Sequence, residues 1–179
     1  MRQRTEAMIP PISAANRTRA RRIIYADRMF ERLSEATARV LFCTRQEASE
    51  LGISSITPEL LLLGLVREPK GLLSDILAST GLVRDDVRRE IMAHTPAREE
   101  VGLSREIPFT EAAKRVVISA SEESNRTHHA VMHPEHLLLG LLSEQGTLAV
   151  SVLEKRGLRF ESVRDLVLRM IEPNEGENR

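Results

Sequence analysis

The sequence predicts an all-α protein built from two tandem four-helix repeats, about eight helices in all, packed with pseudo-twofold symmetry. Two observations lead to this prediction. Apolar residues recur at spacings of three and four, the breaks contain Gly, Pro, Ser or Thr, and strand alternation is nowhere evident. The chain is also internally duplicated: residues 33–93 align without a gap with residues 109–169, and roughly a third of the aligned positions are identical.

The first helix of each repeat is predicted to begin just after a hydroxyl residue. Ser34 and Thr110 are favourable N-caps, because a side-chain oxygen there can accept a hydrogen bond from an N–H group of the first turn. Glu35 and Glu111 follow, where the helix dipole favours negative charge. The predicted helices extend to about Leu51 and Arg126.

The second helix of each repeat is predicted to begin at a proline. Pro58 and Pro134 suit the first helical position, where an N–H group would have no intrahelical acceptor. Thr57 and His133 then occupy the capping positions. Since neither half can bury much apolar surface alone, we expect the leucine-rich segments of these helices to pack at the centre of the fold. These segments are residues 60–66 and 136–142.

The third and fourth helices are shorter and end at recognisable signals. The third helices are predicted over about 72–79 and 148–155, and each is followed by a glycine that can adopt the left-handed conformation of a helix end. The fourth helices are predicted over about 84–93 and 160–171.

The segments outside the repeats set the predicted domain boundaries. We expect an N-terminal extension, flexible or helical with a partner, then a double-repeat domain, then a short tail. The extension is 1–28, the domain 29–172 and the tail 173–179; within the domain, repeat 1 spans about 30–94, the linker 95–108 and repeat 2 about 109–172.

The composition of the chain argues against several classes of function. The 26 basic and 26 acidic side chains balance, which argues against a general nucleic-acid binder, and only 3% of residues are aromatic. One cysteine, Cys43, excludes an internal disulfide and a zinc site of several thiolates, and it is expected in the core. No apolar run approaches the roughly 20 residues of a membrane helix. We therefore expect a cytoplasmic protein that does not contact a membrane.

The duplicated motifs carry a family resemblance. Met29–Ser34 and Phe109–Ala112 are similar to the F-T-x-R-A-like opening of the N-terminal domain of Clp unfoldases, especially of the ClpC type. Pro58–Leu65 and Pro134–Leu141 resemble its T-E-H-[IL]-L-L-G-L helix, with Pro in place of Thr in both copies and Leu60 in place of His in the first. The resemblance covers nearly everything after Arg28.

The resemblance implies a non-enzymatic protein that acts by binding. The sequence contains no G-x-x-x-x-G-K-[ST] loop, so the expectation is a free-standing Clp N-domain-like protein without the ATPase modules, as in some bacteria. Its implied partners are Clp unfoldase or protease subunits and their protein substrates, in the role of an adaptor, an accessory subunit or a decoy. No cofactor and no metal are expected.

The resemblance also implies a pair of phosphoarginine-like pockets. By position, Ser34 and Thr110 would lie on the phosphate side, and Glu59 and Glu135 would pair with the guanidinium group. A purely structural explanation stands beside this one, because hydroxyl caps and first-turn carboxylates stabilise helices without any ligand. Phe30 is a candidate for a partner surface, or else packs on its own helix as a staple.

Two other classes of function remain as alternatives. The arginine-rich stretch Arg17–Arg22 suggests a nucleic-acid-associated regulator. A metal hydrolase would need the histidines at 128, 129, 133 and 136 to converge. We do not expect this, because Pro134 places His133 at a helix cap and His129 in the preceding loop, so that their ring nitrogens should not share a face, and no H-E-x-x-H motif is present.

Overall fold

A computed structural model describes residues 32–94 and 107–171, and all regular structure in these residues is helical. The predicted all-α fold is confirmed. The extension 1–28, Phe30, most of the linker and the tail lie outside the described residues. The helices are α1 Glu35–Glu50, α2 Pro58–Arg67, α3 Leu72–Ala78, α4 Arg84–His94, α5 Glu111–Arg126, α6 Pro134–Ser143, α7 Leu148–Lys155 and α8 Phe160–Ile171.

The predicted caps form as hydrogen bonds. The Ser34 hydroxyl oxygen accepts from the Thr37 N–H at 3.1 Å, and the Thr110 hydroxyl oxygen accepts from the Ala113 N–H at 3.2 Å. Thr57 caps α2 through a longer bond of 3.4 Å from the Leu60 N–H. These local signals explain why α1, α2 and α5 begin where the sequence predicts.

Helices α2 and α6 form the centre of the fold, as predicted. Every residue from Leu60 to Val66 and from His136 to Leu142 is buried, and the two helices contact each other. In the described part of the chain, no single helix is long and apolar enough to cross a membrane. Helices α6 and α7 together have the length and composition of a membrane-spanning segment, but they are bent by 106° relative to each other.

The two repeats meet at two short backbone contacts related by the duplication. Leu33 bridges to Met132, and Ile56 bridges to Phe109. Leu33 aligns with Phe109, and Ile56 aligns with Met132. Exchanging the two repeats therefore converts each contact into the other. This exchange is what a pseudo-twofold axis requires. We call the Leu33–Met132 contact the first seam and the Ile56–Phe109 contact the second seam.

The hydrogen bonds of the seams follow the same symmetry. At the first seam the Ser34 N–H donates to the Met132 carbonyl at 3.0 Å, and the Met132 N–H donates to the Arg32 carbonyl at 2.7 Å. The second seam has the equivalent bonds. There the Thr110 N–H donates to the Ile56 carbonyl at 2.9 Å, and the Ile56 N–H donates to the Pro108 carbonyl at 2.7 Å.

Candidate functional site

Each seam joins a predicted capping residue of one repeat to the segment just before the predicted glutamate of the other repeat. Ser34 lies beside Met132, three residues before Glu135, so the cap of α1 is next to the start of α6. Thr110 lies beside Ile56, three residues before Glu59, so the cap of α5 is next to the start of α2. Each candidate site is therefore built from both repeats. We call Ser34 with Glu135 the first site, and Thr110 with Glu59 the second site.

Each site contains one glutamate side chain. Glu59 and Glu135 are the second residues of α2 and α6 and are half-buried. Within the described ranges neither forms a hydrogen bond or an ion pair. A half-buried carboxylate offers negative charge to a guanidinium group. The N-terminus of a neighbouring helix offers N–H groups to an anion.

The first seam carries side-chain hydrogen bonds in addition to its backbone pair. The Arg32 guanidinium donates to the carbonyls of Ala130 at 2.9 Å and His129 at 3.2 Å, and to the Asn125 side-chain oxygen at 3.0 Å. The Thr37 hydroxyl donates to the Met132 carbonyl at 2.7 Å. The role of Arg32 has no local signal in the sequence, because its partners lie more than ninety positions away.

Three histidine rings converge beneath the first site, which corrects the sequence-based expectation for them. His129 Nδ1 lies 2.9 Å from His136 Nε2, and the His133 and His136 ring centroids are 6.0 Å apart. His133 does cap α6 and His129 does precede it, but the turn between them folds back and places the rings together. The Thr127 hydroxyl lies 2.9 Å from His136 Nε2 and 3.2 Å from His129 Nδ1.

Burial keeps the innermost ring neutral. Desolvation, assisted by the neighbouring rings of His129 and His133, lowers the pKa of His136 to about 4. Burial also lowers the pKa of His129. Because His136 Nδ1 accepts the His133 N–H at 3.0 Å, the proton of the neutral ring is on Nε2, facing Thr127 and His129. Among the described residues, no group of three or more His, Cys, Asp or Glu could hold a metal ion.

Cys43 occupies the core, as predicted. Its side chain is buried, and burial raises the pKa of the thiol, so that the thiolate needed for nucleophilic chemistry is disfavoured. Its neighbour Phe42, by contrast, is 60% exposed and points away from the core.

The architecture defines a duplicated helical domain of two four-helix repeats, in which the repeats exchange backbone hydrogen bonds. The family model for the Clp repeat (R) N-terminal domain matches residues 32–127 and again residues 108–178. The chain belongs to this family. The resemblance found in the sequence is thereby confirmed.

The curated relatives are much longer proteins. The chloroplastic chaperone protein ClpC of Pisum sativum is 37% identical over 158 residues, which are 88% of this chain and 17% of that protein. The chloroplastic chaperone protein ClpC1 of Arabidopsis thaliana is 38% identical over 150 residues, 84% of this chain and 16% of that protein. The chain thus spans less than a fifth of the length of these relatives.

Solved structures of N-terminal domains share the fold. The N-terminal domain of the chaperone ClpD from Arabidopsis thaliana is 27% identical with a TM-score of 0.62, covering 80% of this chain and 99% of that chain. The ClpV N-domain from Vibrio cholerae is 14% identical with a TM-score of 0.66, covering 95% of each chain. A complex of a ClpV N-domain with a VipB peptide is 17% identical, with a TM-score of 0.64 and coverage of 94% and 96%.

Proposed function

We propose that this protein is a non-enzymatic binding module of the Clp chaperone and protease system, acting as an adaptor, an accessory subunit or a decoy for substrates. Membership of the Clp repeat family supports this proposal, and so does the peptide held by a ClpV N-domain of the same fold. The proposal takes residues 29–172 as the binding domain. It places the protein in the cytoplasm, whereas the curated relatives described above are named as chloroplastic.

One observation carries the proposed binding mode. Each seam joins the N-terminus of a 16-residue helix from one repeat to a residue three positions before a half-buried glutamate of the other, and neither glutamate forms a hydrogen bond or an ion pair with the described residues. A ligand that carries both a guanidinium group and a phosphate would satisfy both features at once.

The proposed ligand class is phosphoarginine on marked protein substrates. The carboxylate of Glu59 or Glu135 pairs with the guanidinium group, and the first turn of α5 or α1 receives the phosphate. Ser34 and Thr110 accept N–H groups through their hydroxyl oxygens and so cap these helices; in this proposal their role is to fix the first turn that receives the phosphate. The symmetry predicts two ligands per chain.

Calorimetric titration with phosphoarginine tests this binding mode. We expect two sites in the wild type, one in Glu59→Gln, one in Glu135→Gln and none in the double variant. The matched control is Glu161→Gln, because Glu161 is the second residue of α8 and lies at neither seam. The absence of heat at millimolar ligand, or unchanged stoichiometry in the double variant, would reject the phosphoarginine sites.

Affinity capture tests the wider role. The wild type and the Glu59→Ala, Glu135→Ala double variant are used as baits in a lysate of the source organism. Recovery of Clp unfoldase or protease subunits supports an adaptor or accessory subunit, whereas recovery of arginine-phosphorylated substrates alone supports a decoy. Equal recovery of every protein by both baits would contradict a role for the paired glutamates.

A further inference from the structure

The two seams are related by symmetry but differ in their side-chain hydrogen bonds. Among the residues that the structure describes, both seams have a pair of backbone hydrogen bonds, and the first seam adds four from side chains: three from Arg32 and one from Thr37. Arg32 is exposed, yet its three partners lie in residues 125–130, the end of α5 and the turn that follows it, which leads into the contact at Met132.

Residue chemistry rules out the same bonds at the second seam. The counterpart of Arg32 is Pro108, which has no side-chain donor and no N–H. The counterpart of Thr37 is Ala113, which has no hydroxyl. The difference between the seams is therefore a property of the sequence and does not depend on small shifts of the backbone.

The turn that Arg32 contacts is also braced from the inside. The Ser124 hydroxyl donates to the Val131 carbonyl at 3.1 Å, and Thr127 and His136 hydrogen-bond beneath the turn. The aligned residues of repeat 1 are all apolar and cannot form such a network; they are Ala48, Leu51 and Leu60. Polar contacts thus hold the turn before α6 on two sides.

We infer that Arg32 is a positioning residue that holds Ser34 and Glu135 in register, so that the first site is preformed and binds its ligand more tightly than the second. This inference rests on the proposed function for the identity of the ligand. Arg32 acts through the turn and not as a ligand itself, because its guanidinium group is directed at three protein acceptors. At the second site, part of the binding free energy is consumed in ordering Thr110 against Glu59.

Single-site variants allow each affinity to be measured. Glu59→Gln leaves only the first site and Glu135→Gln leaves only the second. We expect phosphoarginine to bind the first site about three- to tenfold more tightly, the difference that ordering one or two side chains produces. Adding Arg32→Ala to the Glu59→Gln background should remove this advantage, and adding it to the Glu135→Gln background should change nothing.

Two further variants separate positioning from charge and from general stability. Arg32→Lys keeps the charge but cannot reach three acceptors, so we expect it to behave like Arg32→Ala. If the lysine variant binds as the wild type does, attraction by charge explains the effect and the positioning role is overturned. Arg156→Ala is the matched control, since Arg156 also joins the repeats, through Gly81 and Asp86, but away from both seams.

Hydrogen exchange gives a readout that needs no ligand. We expect the Met132 and Ser34 N–H groups to exchange more slowly than their counterparts, Ile56 and Thr110, and Arg32→Ala to reduce that difference. Equal protection of the two seams, or protection unchanged in Arg32→Ala, would overturn the inference.

No heat of binding in any background would reject the proposed ligand, while hydrogen exchange would still decide whether Arg32 holds the seam. Heat at two sites of equal affinity would retain the proposed function and reject the inequality.

Discussion

Glu47 and Glu123 occupy the same position in the two repeats, and both are buried, but their partners differ. Glu47 pairs with Arg67 at 2.7 Å, Arg84 at 2.6 Å and Arg88 at 3.2 Å. Glu123 pairs with Arg126 at 2.9 Å and Arg164 at 3.4 Å. A buried carboxylate is costly unless it is paired, and each repeat pairs its carboxylate with arginines, of which one comes from an equivalent position and the others do not.

The alignment of the repeats could identify the two glutamates but not their partners. Only Arg88 and Arg164 correspond; Arg67 aligns with Ser143 and Arg84 aligns with Phe160. Which arginines reach a buried carboxylate depends on how three helices pack, and that information is absent from spacing along a single helix. The same limit applies to the histidines, whose convergence required the turn before α6 to fold back.

His136 makes stability depend on pH. Its pKa is about 4 in the folded protein and near 6.5 in the unfolded chain, so the unfolded state takes up a proton first as the pH falls. The stabilisation from the neutral ring is complete above pH 6.5 and is lost between pH 6.5 and about 4, to an extent on the order of 3 kcal/mol. We expect the midpoint of thermal unfolding to fall over this range.

The variant that tests this is His136→Leu, because Leu60 fills the aligned position of repeat 1. Thermal unfolding followed by circular dichroism should show a shallower decline from pH 6.5 to 4 in the variant. The decline will not vanish, because burial also lowers the pKa of His129. An identical pH dependence in both proteins would show that His136 does not titrate as described.

At the level of helices, both repeats use a glycine to bring two helices together. A Cβ atom at Gly64 would lie 2.8 Å from the Val40 carbonyl oxygen and would overlap the Thr44 hydroxyl. A Cβ atom at Gly140 would overlap the Val116 carbonyl oxygen and lie 3.0 Å from the Ala120 nitrogen. In both repeats the backbones of the first and second helices therefore approach too closely for any side chain.

We expect Gly140→Ala to destabilise the fold by about 1–3 kcal/mol, because the new methyl group meets backbone atoms that cannot move aside. Gly64→Ala should also destabilise, in part through Thr44, whose side chain can rotate. Urea unfolding gives the free energies. Ser151→Ala, at an exposed position of α7, is the control, and a free energy change for Gly140→Ala no larger than for this control would contradict the close approach.

Helix positions were predictable because their signals are local. A hydroxyl cap, a proline at the first position or a glycine at the end acts within one turn, and the helices of the structure begin and end within about one residue of the predicted positions. The seams carry no such signal. They pair residues from segments distant in sequence, so the contact of Ser34 with Met132 of the other repeat, in place of one within its own repeat, emerged only from the fold.

At the scale of the whole molecule, the repeats share one core. The described residues 32–94 and 107–171 belong to one compact unit, and α2 of repeat 1 packs against both α6 and α7 of repeat 2. The duplication and the central place of the leucine-rich helices followed from the sequence. The difference between the seams comes from residue identity, but it could not be predicted until the fold showed which side chains face each other across the axis.

A shared core predicts that the repeats unfold together. Leu139, on α6, is fully buried, and Leu139→Ala should cost about 2–5 kcal/mol and lower the melting temperature of both repeats in a single transition. Leu168→Ala, at a side chain that is 40% exposed, should have little effect. Calorimetry checks this: two separated transitions in the Leu139→Ala variant would mean that each repeat is stable alone.

The exchange of backbone bonds across the axis bears on how such a molecule arises. In each repeat both edges of a seam contact the other repeat and not each other, so a single copy in the same conformation would complete the contact by pairing with a second molecule as a symmetric dimer. Fusion in one chain replaces that encounter with an intramolecular one at high effective concentration. In a fused chain the two halves can also differ in sequence. A difference such as arginine at position 32 and proline at position 108 then affects one seam and leaves the other unchanged.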